Sequence, residues 1–76
     1  MELSRNPVIS PQNFKDKKIQ VELKENFTLQ GTLENFDKFN NLTLKNASQI
    51  SSDNSVDLGT VYINGHNLIQ ITELEN

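Results

Sequence analysis

The sequence contains no cysteine among its 76 residues. That absence excludes disulfide bonds, thiolate metal sites and cysteine nucleophiles together. Small secreted proteins usually depend on such cross-links, so we expect an intracellular protein. A domain of this length buries only about 60% of the surface of its unfolded chain. We therefore expect a single domain that gains further stability by forming an oligomer.

Glycine and histidine are scarce as well. The three glycines are scattered, which excludes a glycine-rich phosphate loop. His66 is the one histidine, and no cysteine joins it in a metal site, so we expect a solvated side chain in a tight turn. Glu73 and Glu75 lie in a strand end or tail, where carboxylates are more often solvated than catalytic. The sequence predicts no enzymatic activity, no metal and no cofactor.

Long apolar segments and a surplus of positive charge are also missing. The opening MELSRNPVIS has no apolar run long enough for a signal peptide, and no stretch could span a bilayer, so we expect no membrane contact. Ten acidic residues against seven basic ones give a net charge of −3. This balance argues against a broad basic face for nucleic acid, so any RNA contact would have to be local. The only basic cluster, Lys15, Lys17 and Lys18, is typical of a solvated face.

Alternation of apolar and polar residues predicts strands with one buried face over most of the chain. Residues 1–9 are interpreted as a flexible arm, and residues 10–16 as a short helix that starts at a Ser-Pro pair. Five strands are predicted to begin near Ile19, Phe27, Asn41, Leu58 and Leu68. Gly31 permits a sharp bend and a close backbone approach in the second strand, and Ile69 and Ile71 share a face of the fifth. The predicted fold is all-β with a short N-terminal helix, a small, strongly bent five-stranded antiparallel barrel, closed or half-closed.

Turn residues and breaks in the alternation give the boundaries of these strands. Glu25-Asn26 predicts a two-residue turn, and Asn64-Gly65 is the strongest signal for a short hairpin. Residues 51–57 read as a polar loop. Phe36 breaks the alternation and predicts a bulge or a strand end, and the pattern slips again at Asn46-Ala47.

The segment between the second and third strands, Asp37-Lys38-Phe39-Asn40-Asn41, is an unusual turn. Asp and Asn are ordinary turn residues, but Phe39 places a large apolar ring at a polar tip. Phe39 could fold back to cap the barrel end, which is the commoner arrangement for such a residue. Alternatively, it could be exposed and stack a nucleobase while neighbouring amides bind the edge of that base.

Two groups of residues, in this order and separated by the polar loop, resemble the two motifs of Sm and Sm-like (LSm) proteins. The first motif, about 19–50, is matched by Leu23, Gly31, Leu33, Phe36-Asp37, Phe39, Asn41, Leu42 and Leu44. The second, about 58–74, is matched by Leu58-Gly59-Thr60-Val61, Ile63, Gly65, Asn67 and Leu68. The resemblance implies one Sm domain over residues 10–76, with a bent barrel of the SH3-like or OB-like kind.

The resemblance also implies an assembly and a ligand. Subunits of this family form hexameric or heptameric rings, in which the fourth strand (about 58–64) pairs with the fifth strand (about 67–74) of a neighbour. Uridine-rich single-stranded RNA is held in the lumen, one base per subunit. Such a subunit would serve a ribonucleoprotein core in pre-mRNA splicing or in RNA processing and decay, in the nucleus, the cytoplasm or both.

Carried over residue by residue, the resemblance implies a binding site from both motifs. Phe39 would stack the base, Asn41 would hydrogen-bond its edge and Asp37 would orient Asn41. Asn64 and Gly65 would complete the site from the second motif.

Asn64 departs from the family pattern, which usually has Arg directly before the glycine. Asn can still hydrogen-bond, but it lacks the charge and the guanidinium plane. This departure favours a subunit of a eukaryotic hetero-oligomer over a homomeric archaeal or bacterial RNA chaperone. The segments FKDKK (14–18) and ITELEN (71–76) are most similar to the G-type Sm subunit, and the Asn to a subset of LSm proteins. A second hypothesis, favoured by Asn64 and by the acidic charge, is a structural ring subunit with little RNA contact of its own.

Overall fold

The computed structural model describes residues 10–74; the arm predicted over residues 1–9 and the end of the acidic tail lie outside that range. A single 3-10 turn, Pro11–Phe14, precedes the first strand. The five strands are β1 (Lys18–Leu23), β2 (Phe27–Phe36), β3 (Leu42–Ile50), β4 (Ser55–Ile63) and β5 (Leu68–Glu73). The predicted all-β fold is confirmed. Between residues 10 and 74, no helix has the length and apolar character needed to cross a bilayer.

The strands form one antiparallel sheet in the order β4-β3-β2-β1-β5. β2, with ten residues, is the longest strand, and the sheet packs around a single apolar core. At Gly31 an added Cβ would lie only 3.1 Å from both the Ala47 Cα and the Lys45 carbonyl oxygen. The two strands approach too closely there for a side chain, so a close backbone approach, one of the two features that glycine permits, is confirmed at Gly31.

The core is entirely apolar within the described residues. Its fully buried side chains come from three adjacent strands: Ile19, Val21, Leu33, Leu42 and Leu44. The breaks in alternation are register shifts, as predicted. One lies between Leu33 and Asn35, just before β2 ends at Phe36, and another follows Leu44, where Asn46 has a φ of 53°.

The hairpin predicted at Asn64-Gly65 is wrong. β4 and β5 lie at opposite edges of the sheet, and β5 pairs with β1 instead. The Asn and Gly belong to a connection that contains the 3-10 turn Gly65–Asn67 and crosses from one edge to the other. The local signal was read correctly as a turn, but the pairing partner of β5 is fixed by distant residues. The barrel is therefore half-closed, with two free edges.

The polar loop and the first turn have boundaries that differ from those predicted, and β5 contains a bulge. The polar loop ends at Asn54, since Ser55 and Val56 already pair with β3. The Glu25-Asn26 turn has three residues, Lys24–Asn26, because Leu23 pairs directly with Phe27. In β5 the register against β1 shifts by one residue, from Gln70 opposite Glu22 to Leu68 opposite Leu23.

That bulge leaves Ile69 without a partner on β1. It lets Leu68 and Ile71, three residues apart, both turn towards the core, while Ile69 is 49% exposed. The predicted common face of Ile69 and Ile71 is thus wrong.

The N-terminal turn is also shorter than the segment predicted over residues 10–16. Pro11 occupies its first position as expected, but the Ser10 side chain makes no cap; the Ser10 carbonyl accepts from the Asn13 N–H instead, at 3.0 Å. Asp16 lies beyond the turn with a φ of 66°, and its N–H donates to the Leu33 carbonyl of β2 at 2.8 Å. This bond attaches the N-terminal segment to the bent strand.

Candidate functional site

Asp37 organises the connection between β2 and β3. Its Oδ1 accepts hydrogen bonds from the backbone N–H groups of Phe39 (2.9 Å) and Asn41 (3.0 Å). Its backbone carbonyl accepts from the Asn40 N–H at 3.1 Å, and Asn40 takes a φ of 66°, which asparagine tolerates. The carboxylate therefore fixes the path of the whole turn, including the position of the aromatic residue at its tip.

The Asn41 side chain links this turn to the β4–β5 connection. Its Nδ2 donates to the Asp37 Oδ2 at 3.0 Å, and its Oδ1 accepts from the Gly65 N–H at 2.7 Å. Since a carboxylate only accepts and an amide N–H only donates, these two partners determine the orientation of the amide. The structure thus joins residues of the two motifs, 24 positions apart, through one side chain.

The ionisation of Asp37 depends on these contacts. The hydrogen bond from the Asn41 side chain lowers the pKa of Asp37 below its ordinary value of 3.8, against the opposing effect of desolvation. The two backbone N–H groups and the charge of Lys38 lower that pKa further. Asp37 is therefore a carboxylate at neutral pH and can serve as the acceptor that holds Asn41.

Gly65 packs directly against the backbone of the turn. A Cβ at this position would overlap the Phe39 carbonyl oxygen and would lie 3.0 Å from the Asn40 carbonyl carbon. No residue with a side chain fits without moving one of the two segments. The requirement for glycine comes from this close approach.

Asn64 caps the 3-10 turn of the connection. Its Oδ1 accepts from the His66 N–H at 2.8 Å, an ordinary use of Asn before a helical turn. The acceptor of the side chain is therefore occupied within the chain, and its amide N–H groups remain as donors.

Phe39 is 69% exposed and makes no cap on the barrel, so the capping interpretation is wrong. The Lys38 Nζ lies 5.4 Å from the centroid of its ring, within the range of a cation–π contact. One large aromatic face is thus held in solvent by a turn whose backbone is fixed.

Five residues from the two connections line one open pocket of about 360 Å³: Phe39, Asn41, Asn64, Gly65 and His66. Four of the five predicted site residues are brought together there, and the fifth, Asp37, lies behind Asn41 as its hydrogen-bond partner. His66 was missed by sequence reasoning, although its place directly after Gly65 was a usable signal. Residues 10–74 contain no cluster of His, Asp or Glu that could hold a metal ion.

The two free edges carry most of the exposed apolar side chains. Val56, Leu58 and Tyr62 of β4 are 54%, 40% and 81% exposed, and Ile69 lies on β5. Phe27, at the start of β2, is 45% exposed. Apolar side chains on a sheet edge with unpaired backbone groups are typical of an interface with another chain.

The basic cluster behaves as a solvated face. Lys15 forms an exposed ion pair with the adjacent Asp16 at 3.3 Å, and Lys17 pairs with Glu73 of β5 at 3.6 Å. Exposed pairs of this kind contribute little to stability. Both lysines are thereby partly neutralised by neighbouring carboxylates.

The sequence pattern of the LSM domain family matches residues 10–73. The chain is 36% identical over 62 residues to a protein of Arabidopsis thaliana named probable small nuclear ribonucleoprotein G, covering 82% of this chain and 78% of that protein. Among solved structures, it is similar to a heptameric archaeal Sm protein with a TM-score of 0.79 and 30% identity, over 84% of this chain and 94% of the other. The Sm protein of Pyrococcus abyssi in complex with a uridine heptamer gives a TM-score of 0.77 and 30% identity, over 83% and 90% of the two chains.

Proposed function

The chain belongs to the LSM domain family, and from this premise we propose that it is a non-enzymatic ring subunit that binds uridine-rich single-stranded RNA in the ring lumen. Its similarity to G-type small nuclear ribonucleoproteins supports a place in a ribonucleoprotein core. Pre-mRNA splicing, or RNA processing and decay, is the corresponding process, and the nucleus and cytoplasm are the corresponding compartments.

The observation that carries this proposal is the fixed amide of Asn41 beside an exposed Phe39. Of the groups on that amide, Oδ1 is occupied by Gly65 and one N–H by Asp37. One N–H remains as a donor, and beside an exposed aromatic ring it is placed to bind an acceptor on the edge of a stacked base. Uracil presents carbonyl oxygens as acceptors and adenine presents ring nitrogens, at different positions on the base edge, so a donor held in one position can discriminate between them while Phe39 supplies the stacking surface.

The acidic charge of the chain is compatible with this kind of site. A net charge of −3 gives no broad attraction to phosphate. Each subunit instead offers a few short-range contacts, with Lys38 next to the pocket. A ring repeats such contacts around one lumen, so several weak contacts on one strand add up to firm binding.

The free edges support assembly through β4 of one subunit and β5 of the next. β4 shows almost no burial except at its end, although it is a nine-residue strand. An edge of this length with exposed Val56 and Leu58 is stable in solution when another strand covers it. The structural relative named above is heptameric. We propose a hetero-oligomer of Sm or LSm subunits, with a homo-oligomer as the alternative.

The test compares two exposed phenylalanines on an assembled ring. Native mass spectrometry of the chain, alone and with candidate Sm or LSm partners, first identifies the ring. Phe39→Ala should then weaken oligouridine binding by about 1–3 kcal/mol per occupied site, the usual contribution of base–aromatic stacking. Phe27→Ala is the matched control, since Phe27 is also exposed but lies away from the pocket. Its rings should bind RNA like the parent.

The result that contradicts RNA binding is equally specific. If Phe39→Ala and Asn41→Ala rings both bind oligouridine with parental affinity, this subunit contacts no base. The second candidate, a structural subunit that completes a ring through β4 and β5, would then be correct. A folded monomer at micromolar concentration with every partner set would contradict both.

A further inference from the structure

The Asn64-Gly65 pair is the most reactive dipeptide in this chain towards deamidation. In this reaction the backbone nitrogen of the following residue attacks the Asn side-chain carbonyl carbon. Glycine, with no side chain to hinder its nitrogen, makes the attack easiest. Both residues have structural reasons to be present, since only Gly fits at position 65 and Asn64 caps the 3-10 turn. A thermolabile asparagine, Asn64, therefore lines the pocket.

In the folded structure both reacting groups are held apart. The Gly65 nitrogen, the nucleophile, donates its proton to the Asn41 Oδ1 at 2.7 Å. The side-chain oxygen of Asn64, Oδ1, accepts from the His66 N–H at 2.8 Å. The backbone of Asn64 is extended, with φ −75° and ψ 129°, which turns its Cβ away from the Gly65 nitrogen about the Cα–C bond. Ring closure needs all three of these arrangements to change.

We propose that Asn64 is a conditional deamidation site, protected while the Asn41–Gly65 hydrogen bond is intact and reactive when that contact opens. In the reaction the Gly65 nitrogen loses its proton to solvent base and bonds to the Asn64 Cγ. The Cγ–Nδ2 bond breaks, and the side-chain nitrogen leaves as ammonia. Water then opens the five-membered imide, giving aspartate or isoaspartate at position 64.

Aspartate and isoaspartate both add a negative charge to the pocket. A carboxylate replaces a neutral amide next to Phe39 and Asn41, and it repels the phosphates of a bound strand. Isoaspartate also lengthens the main chain by one carbon, so Gly65 loses its place against the Phe39 carbonyl. Deamidation would therefore mark chains whose pocket has opened, and reduce their RNA affinity irreversibly. This consequence for RNA rests on the proposed function, whereas the chemistry at Asn64 does not.

The rate of deamidation can be measured by peptide mapping of the full-length chain with mass spectrometry. Asn54, in the loop before β4, is an internal reference with the small residue Ser55 after it. In guanidinium chloride Asn64 should deamidate faster than Asn54; under native conditions the order should reverse. Asn41→Ala should accelerate the reaction at Asn64 about fivefold or more, the population shift given by one ordinary hydrogen bond, and leave Asn54 unchanged.

A core variant separates local opening from general unfolding. Ile19→Val removes one methylene from a fully buried side chain that does not line the pocket. If it accelerates deamidation at Asn64 as much as Asn41→Ala does, protection comes from global stability and the proposal fails. It fails also if native and unfolded chains react at the same rate at Asn64.

The RNA consequence has its own measurement. Rings carrying Asn64→Asp should bind oligouridine at least about threefold more weakly than rings carrying Asn64→Ala, because both lose the amide and only the first adds a charge near phosphate. Equal affinity of the two variants would overturn the RNA half of the proposal. If the parent ring binds no RNA, the proposed function fails, while the deamidation rates still test the protection of Asn64.

Discussion

Two of the connections between neighbouring strands of the sheet differ in how they are held. The turn Lys24–Asn26 joins β1 to β2, with φ values of 67° at Glu25 and 66° at Asn26. In the part of the chain that the structure describes, its side chains make no hydrogen bond. The turn Asp37–Asn41 joins β2 to β3 and carries four hydrogen bonds from two side chains, one of them to the distant Gly65.

Both turns reverse the chain equally well, so reversal alone does not require those side-chain bonds. The first turn is made with positive φ values at Glu25 and Asn26 and without any side-chain hydrogen bond, although only Asn26 is a residue type that favours this conformation. The additional bonds of the second turn fix an exposed aromatic ring and one amide N–H relative to the β4–β5 connection. Fixing groups that point into solvent serves a ligand more than it serves the fold. The difference between the two turns therefore supports the proposal that the second is a binding site and the first a simple connection.

The largest expected effect comes from filling the space between the second turn and the β4–β5 connection. Gly65→Ala should destabilise the protein by about 1–3 kcal/mol, because the new methyl group overlaps backbone atoms. It should also abolish measurable oligouridine binding by displacing Asn41. Denaturant unfolding measures the first effect. Asn67→Ala, in the same connection, is the control and should stay within about 0.5 kcal/mol of the parent.

A smaller effect is expected from removing the amide that joins the two segments. Asn41→Ala loses two side-chain hydrogen bonds and should cost about 1–2 kcal/mol of stability. Its binding should also discriminate less between oligouridine and oligoadenosine. In the other turn, Asn26→Gly keeps the positive φ and should change the free energy of unfolding by less than about 0.5 kcal/mol. Equal costs at the two positions would remove the distinction between the turns.

Restoring the arginine of the family pattern should increase the affinity for oligouridine and slightly lower the stability of the fold. Asn64→Arg loses the cap for the His66 N–H, worth about 1 kcal/mol. The added cation should tighten oligouridine binding and steepen the logarithmic salt dependence by about 0.7 per phosphate contacted. Asn64→Ala, which loses the cap without gaining charge, is the control. An unchanged salt slope in the arginine ring would place position 64 away from the RNA backbone.

The smallest expected effect is a dependence of the folding stability on pH, through Asp37. The pKa of Asp37 is lower in the folded chain than its ordinary 3.8, so the folded state binds fewer protons than the unfolded state in that region. The stabilisation by Asp37 is therefore complete at neutral pH and is lost as pH falls below about 4 through the folded pKa. Unfolding curves of the parent and Asp37→Asn should converge at low pH. Curves that stay parallel would show that Asp37 contributes nothing through its charge.

Sequence reasoning was accurate where the cause of structure is local. Alternation located all five strands and the register shift near Asn46, and Gly31 indicated the close approach of two strands, because each signal acts on its own backbone. It failed at Asn64-Gly65, where the local turn signal was real but the pairing of β5 with β1 depends on residues some 50 positions earlier. The exposed position of Ile69 follows from a bulge, which period-two alternation cannot show.

The sequence predicted most residues of the candidate site but not the hydrogen bonds that join them. Phe39 stood out because an aromatic ring is unusual in a polar turn. Asn41 stood out because an amide beside such a ring can bind the edge of a base. The hydrogen bond from the Gly65 N–H to Asn41 involves a backbone group, which leaves no trace in the residue pattern. His66 was missed for a related reason, since its approach to the pocket depends on how the 3-10 turn is oriented.

The same Asn41–Gly65 hydrogen bond has a consequence for cooperativity. Gly65 lies between the end of β4 at Ile63 and the start of β5 at Leu68, the two edges that a neighbouring subunit would cover. A neighbour that restrains either edge also restrains the group that orients Asn41. Thermodynamic linkage is reciprocal, so RNA that favours the ordered pocket must favour the assembled ring by the same factor. We expect rings to dissociate at lower concentration when oligouridine is present than when it is absent, and Asn41→Ala to reduce that difference.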